Sequence, residues 1–169
     1  LKWVGEIHRT AGTGAGLELK LEPESLCDSE PKASIDLFVC GSHMSELPLN
    51  QQLTELGAEY LGEAETEPHY RMYILPPTES LPVRPGLVRC KEETVSLPGE
   101  LWRMPLKNLG AFMLKIRFPL GISQVQMNNG KSEYGFCCDP SGVESSSEIT
   151  HFRGWRSYLA ENKKSTGIS

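Results

Sequence analysis

Short apolar runs separated by turn-forming residues make up most of this chain, and the period of each run predicts its element. IDLFVC, residues 35–40, has five apolar positions in six and predicts a buried strand. After a loop at Gly41, PLNQQLTELG opens with proline and closes with glycine, which predicts a short helix over 48–57. AEYLGEAETE (58–67) and HYRMYIL (69–75) predict two strands. In the second, alternation puts Tyr70, Met72 and Ile74 on one face and His69, Arg71 and Tyr73 on the other. PPTESLPVRPG (76–86) predicts a loop, because its four prolines cannot donate ladder hydrogen bonds. LVRC (87–90) and VSLPGELWRMP (95–105) predict further strands, followed by a short helix over 106–116. ISQVQM, the Asn129-Gly130 turn and KSEYGFCC predict a hairpin, the strongest such signal in the chain. In ITHFRGWRSYLAEN, Phe152, Trp155, Tyr158 and Leu159 lie three or four apart, as on a helix facing a core.

Strands outnumber helices, and no βαβα alternation occurs. The predicted class is α+β: a mixed, partly closed β-sheet or barrel with a few packed helices. Before Ile35 the patterning fails. Residues 1–16 are helical in character only to Thr10, and residues 17–34 are charged, with two prolines and no long period. The expected organisation is therefore a remnant of a preceding element over 1–16, a linker over 17–34, one domain over 35–162 and a short tail over 163–169. The segment before Ile35 is expected to pack little against the domain.

Composition narrows the function classes. A length of 169 residues suits one domain of ordinary size. No apolar run approaches the roughly 18 residues that span a bilayer, and there is no signal-peptide pattern, so no membrane partner is expected. The formal net charge of -5 argues against nucleic acid, and it requires local positive groups to hold any anionic substrate. Five cysteines, at 27, 40, 90, 137 and 138, follow no disulfide or zinc spacing, which predicts reduced thiols in a cytoplasmic protein. On a strand, Cys137 and Cys138 point to opposite faces and make poor joint ligands. Histidines at 8, 43, 69 and 151 lack metal-ligand spacing as well, so neither a metal nor a cofactor is expected.

Gly41-Ser42-His43-Met44 is the strongest candidate for chemistry. A loop between a strand and a helix can converge its N–H groups on an anion, and Gly41 supplies the freedom for close approach. His43, with a reference pKa near 6.5, suits proton transfer near neutrality. The competing reading is a solvated loop histidine. Arg71 is the second candidate, either as a two-pronged carboxylate ligand on an interior face or as a charge on the wet face of a sheet. The Gly-x-Ser-x-Gly elbow, the phosphate-binding Gly-rich loop and His-Glu-x-x-His are all absent.

Several of these segments, in this order, resemble one family. LFVCGSHM, LGEAETEPHYRMYIL, RPGLVRC and GELWRMP follow the order of the γ-glutamyl cyclotransferase-like fold, whose first strand ends in a Gly-Ser loop. Gly41-Ser42-His43-Met44 with Pro48-Leu49-Asn50 resembles the Gly-Ala-His-Leu and Pro-Leu-Asn of the C-terminal domain of allophanate hydrolases. PLGI (119–122), GFCCDP (135–140) and ITHFRGWRSYL (149–159) resemble its later landmarks. The likeness covers about residues 35–160. WVGEIHRTAG resembles the tail of an amidase-signature domain, whose serine nucleophile would lie upstream. The cyclotransferase acid in a Leu-Asp-x-x-Glu-Gly segment has no counterpart, since KIRFPLGIS carries no acid, and the loop tyrosine is Cys40 here.

The resemblance implies decarboxylation of N-carboxycarbamate, made by the upstream amidase during urea degradation. His43 would be the general acid. Backbone N–H groups of Gly41, Ser42, His43 and Met44, with Asn50, Tyr70 and Arg71, would bind the two carboxylates. The partners implied are this small dianion and the amidase domain, with homodimerisation through the full-length protein left open. A cyclotransferase acting on γ-glutamyl compounds is one alternative. A non-catalytic module that docks or dimerises the amidase is the other.

Overall fold

The computed structural model describes residues 33–165. The expected remnant at 1–16, the linker up to Lys32 and the end of the tail lie outside the described residues.

The apolar run after the linker forms β1 (Ser34–Val39), whose last three residues are buried. A single helical turn, α1 (Gln51–Thr54), leads to β2 (Glu59–Glu65), β3 (Tyr70–Leu75), β4 (Arg84–Arg89) and β5 (Pro98–Pro105). Then come α2 (Leu106–Met113), β6 (Leu120–Gln126), β7 (Ser132–Cys138) and α3 (Trp155–Ser165). Five strands make one sheet in the order β2-β5-β1-β7-β6, and β3 with β4 makes a separate two-stranded ladder. β1 lies in the middle, antiparallel to β5 and parallel to β7, with Leu37 opposite Tyr134 and Phe38 opposite Gly135. The α+β class read from the sequence is the observed one. The sheet does not close into a barrel, but its outer strands meet at one corner, where Thr66 bridges Met127 and the Glu67 N–H donates to the Gln126 carbonyl at 2.8 Å.

Several expected elements differ in extent. The helix expected over 48–57 shrinks to α1, because residues 48–50 form turns that fold back on the loop before them. Gly57 ends that stretch at φ 72°, a conformation glycine adopts without strain. β4 starts inside the stretch expected to be a loop, with Pro85 opposite Ile74. In a two-stranded ladder each strand is an edge, and a proline's missing N–H is tolerated there. At the C-terminus, Phe152 belongs to a 3₁₀ turn (Thr150–Phe152) rather than to α3. Arg153 at φ 59° and Gly154 at φ 130° break the chain between them, and Lys163 to Ser165 of the expected tail are helical.

The core is gathered on the inner faces of β1, β3 and β5 and under α2 and α3. Phe38, Tyr70, Met104, Phe112 and Trp155 are all nearly inaccessible. Each such side chain contributes about 1.5–3 kcal/mol by leaving water. Tyr70 and Met72 are buried while Arg71 is not, which settles the face that the alternation of β3 left open. Cys137 packs toward the main core and Cys138 toward a second, smaller one around Leu75 and Val143. Among the described residues no helix is long and apolar enough to cross a membrane.

Candidate active site

β1 ends at Val39 and delivers residues 40–43 to a cleft, and hydrogen bonds to the loop's own carbonyls set the loop's shape. The Met44 N–H donates to the Gly41 carbonyl (2.9 Å) and the Leu49 N–H to the Ser42 carbonyl (2.9 Å). The Asn50 side-chain amide donates to the His43 carbonyl (2.8 Å). The N–H groups of Gly41, Ser42 and His43 have no acceptor among the described residues. Gly41 is glycine for a packing reason, since a Cβ there would lie 2.6 Å from the Pro85 ring. That close approach brings the start of β4, and with it Arg84, against the loop.

Val39 to His43, Leu49, Arg84, Pro85, Leu87, Leu120 and Phe136 line the cleft. The cleft is small and partly open, with a volume of about 30 Å³. Arg84 is 5% exposed, and its recorded hydrogen bond is a long one, 3.4 Å from Nη1 to the Pro76 carbonyl. No carboxylate pairs with it among the described residues. Burial pushes its pKa down, yet a guanidinium stays charged at neutrality. A buried cation without a counter-ion is costly, and it favours an anion arriving from outside.

His43 lies between aromatic rings. Phe136 stacks on it at 4.9 Å with 9° between planes, and Phe112 meets it edge-on at 5.6 Å. The Nε2 atom is 3.2 Å from Gln52 Oε1. That oxygen can only accept, so Nε2 carries the proton and Nδ1 is left as the basic atom. Burial lowers the His43 pKa to about 4; the Gln52 hydrogen bond opposes the shift, and the Lys115 ammonium adds to it. The ring is therefore neutral at pH 7.

An expected effect on stability follows. An unfolded histidine takes up its proton near pH 6.5, above the folded value of about 4, so the unfolded state binds more protons between these limits. Stability contributed by neutral His43 is complete above pH 6.5 and is lost as pH falls toward 4. By pH 5 the loss should be about 2 kcal/mol. Urea denaturation at pH 7 and pH 5 measures it, with His43→Asn expected to lose less by that amount.

The structure brings Gly41, Ser42 and His43 together at the cleft. Met44 turns into the core (3% exposed), and its N–H is committed to Gly41, so it is not free to bind a ligand. Asn50 shapes the loop through the His43 carbonyl. Tyr70 is buried elsewhere, its hydroxyl accepting from the Gln126 N–H at 2.9 Å. Arg71 does not reach the cleft and faces Glu148 (3.3 Å) and Glu92 (3.6 Å) on the outside. Sequence reasoning did not single out Arg84 and Phe136, which line the cleft, or Gln52 and Phe112, which touch His43. Among the described residues, no carboxylate lines the cleft. Among the described residues, no group of three or more His, Cys, Asp or Glu is placed to hold a metal ion.

A family model for the allophanate hydrolase C-terminal domain matches residues 35–160. The chain belongs to that family. Among curated relatives of this allophanate hydrolase C-terminal domain, the urea amidolyase of Lachancea kluyveri is 36% identical over 135 residues, covering 78% of this chain and 7% of that protein. The urea amidolyase of Saccharomyces cerevisiae is 33% identical over 161 residues, covering 92% and 9%. The solved allophanate hydrolase of Kluyveromyces lactis superposes with a TM-score of 0.72 at 30% identity, over 76% of this chain and 21% of that one. The domain thus spans less than a tenth of the curated relatives and about a fifth of the solved enzyme.

Proposed function

We propose that this domain decarboxylates N-carboxycarbamate, a dianion with a carboxylate on each side of one N–H, received from an amidase domain of the same polypeptide. The observation that carries this reading is Arg84, buried and without a carboxylate partner in the same cleft as His43. Its planar fork suits two-pronged binding of one carboxylate. The unpaired N–H groups of Gly41, Ser42 and His43 suit an oxyanion beside it.

Decarboxylation needs a proton on nitrogen as the C–N bond breaks. The bonding pair stays on nitrogen, the departing carboxylate leaves as carbon dioxide, and carbamate remains. His43 is neutral in the empty cleft, so it acquires that proton when the dianion binds. Raising its pKa from about 4 to neutrality takes three pH units, or about 4 kcal/mol. A single charge about 4 Å away supplies about 4 kcal/mol at a protein-surface dielectric, and the substrate carries two. Nδ1 is the atom that gains the proton and passes it to the substrate nitrogen. Gln52 Oε1 accepts from Nε2–H in both states and keeps the ring oriented. Solvent then restores the proton.

Malonate, which has a CH₂ in place of the N–H, is the stable stand-in. It is expected to bind the domain and to move the His43 ring titration, followed by NMR, upward from about 4 toward neutrality. Failure to bind, or binding that leaves this titration in place, would refute the dianion site.

A further inference from the structure

We propose that Glu100 and Arg156, which are not part of the cleft lining, are positioning residues that clamp the His43 loop at its Ser45 flank. The inference rests on His43 being the working residue of the site. The loop has two flanks. Asn50 holds the one at the His43 carbonyl. The other is Ser45, and all three of its polar groups are captured by residues distant in sequence. Its N–H and its hydroxyl both donate to Glu100 Oε2, at 2.8 and 3.0 Å. Its carbonyl accepts from Arg156 Nη2 at 2.9 Å. Arg156 Nη2 also donates to Glu100 Oε1 at 2.8 Å, and Trp102 Nε1 donates to Oε2 at 2.9 Å.

Glu100 is 6% exposed, so its carboxylate is removed from water. Burial alone would raise its pKa, but the donors around it outweigh burial and hold it below the usual carboxylate range. A buried ion pair of this kind is weak support for stability, because an apolar replacement of similar size often serves as well; fixing one conformation is its better-attested use. β5, which carries Glu100, is hydrogen-bonded on both sides, to β1 and β2, so the anchor is rigid. Arg156 lies in the first turn of α3. The residue after Ser45, Glu46, sits at φ 63°, a left-handed conformation that a non-glycine residue keeps only when its surroundings over-determine it. The clamp provides that constraint one residue away.

Glu100→Gln tests this, because the new NH2 must face donors on whichever side it takes, Arg156 on one or Ser45 and Trp102 on the other. The readouts are the NMR titration of the His43 ring and the affinity for malonate, both taken well below the melting temperature. The expected result is a His43 titration displaced upward from about 4, as the loosened loop lets water reach the ring. Malonate binding should weaken about tenfold or more. Arg156→Ala should act in the same direction from a partly exposed position, which covers a failure of the Glu100 variant to fold. Arg156→Lys should restore part of the effect. Ile149→Val, a core trim away from the loop, should lower stability and move neither readout. If Glu100→Gln and Arg156→Ala fold and leave both readouts at wild-type values, the clamp is wrong. If wild type does not bind malonate but the His43 titration still moves in the variants, the clamp stands and the dianion reading falls.

Discussion

His43→Ala, with this domain coupled to an active amidase domain, is expected to leave the first ammonia release intact and to slow the release of carbon dioxide and the second ammonia. A positioned general acid contributes about a hundredfold to ten-thousandfold, and that is the range expected for the loss. His43→Asn, close in size but without an acidic proton, should be nearly as impaired. Carbon dioxide and ammonia must be followed together, because the intermediate is unstable and neither signal alone separates the two steps. If both variants release carbon dioxide at the wild-type rate, His43 is not the proton donor, and a docking module becomes the better description.

Arg84→Met should separate activity from stability more sharply. Methionine fills much of the same volume but removes the guanidinium, the one cation among the described residues that line the cleft. Hydrogen bonds to charged groups are worth about 1.5–3 kcal/mol each, so losing a two-pronged contact should cost about a hundredfold or more in the coupled decarboxylation assay. The melting temperature should hold or rise, since an unpaired buried guanidinium is itself destabilising. Arg84→Lys keeps the charge without the fork and should fall between the two. An Arg84→Met variant with wild-type carbon dioxide release would remove the anion site from the mechanism.

Local chemistry made the scaffold legible. The β6–β7 hairpin could be read because Asn129-Gly130 encodes its own turn, with Gly130 at φ 79°. β1 and the loop after it could be read because an apolar run stops at a glycine. What could not be read was whatever depends on distant packing. Arg84 was hidden in a stretch of four prolines that looks like a loop, and only the contact of Pro85 with Gly41 brings it to the site. The alternation of β3 put Arg71 on one face without saying which face was wet. The depressed pKa of His43 comes first from burial, and the rings packed on it, Phe112 and Phe136, lie far along the chain, so the shift left no local trace.

The parallel pairing of β1 with β7 also dictates when the cleft can exist during synthesis. β1 carries the His43 loop and is made early, yet its neighbour on one side, β7, is the last strand of the sheet to be made, and that strand brings Phe136 to the histidine. Contacts so distant in sequence form late and slow the folding of the whole. A nascent chain that has emerged only as far as β5 can pair β1 on one side, but the imidazole still lacks its stacking partner. Its ring should titrate near the ordinary value, and the chain should not yet acquire the proton chemistry of the finished domain. On the proposed mechanism, competence therefore arrives with the last strand, and a prematurely terminated product lacks it.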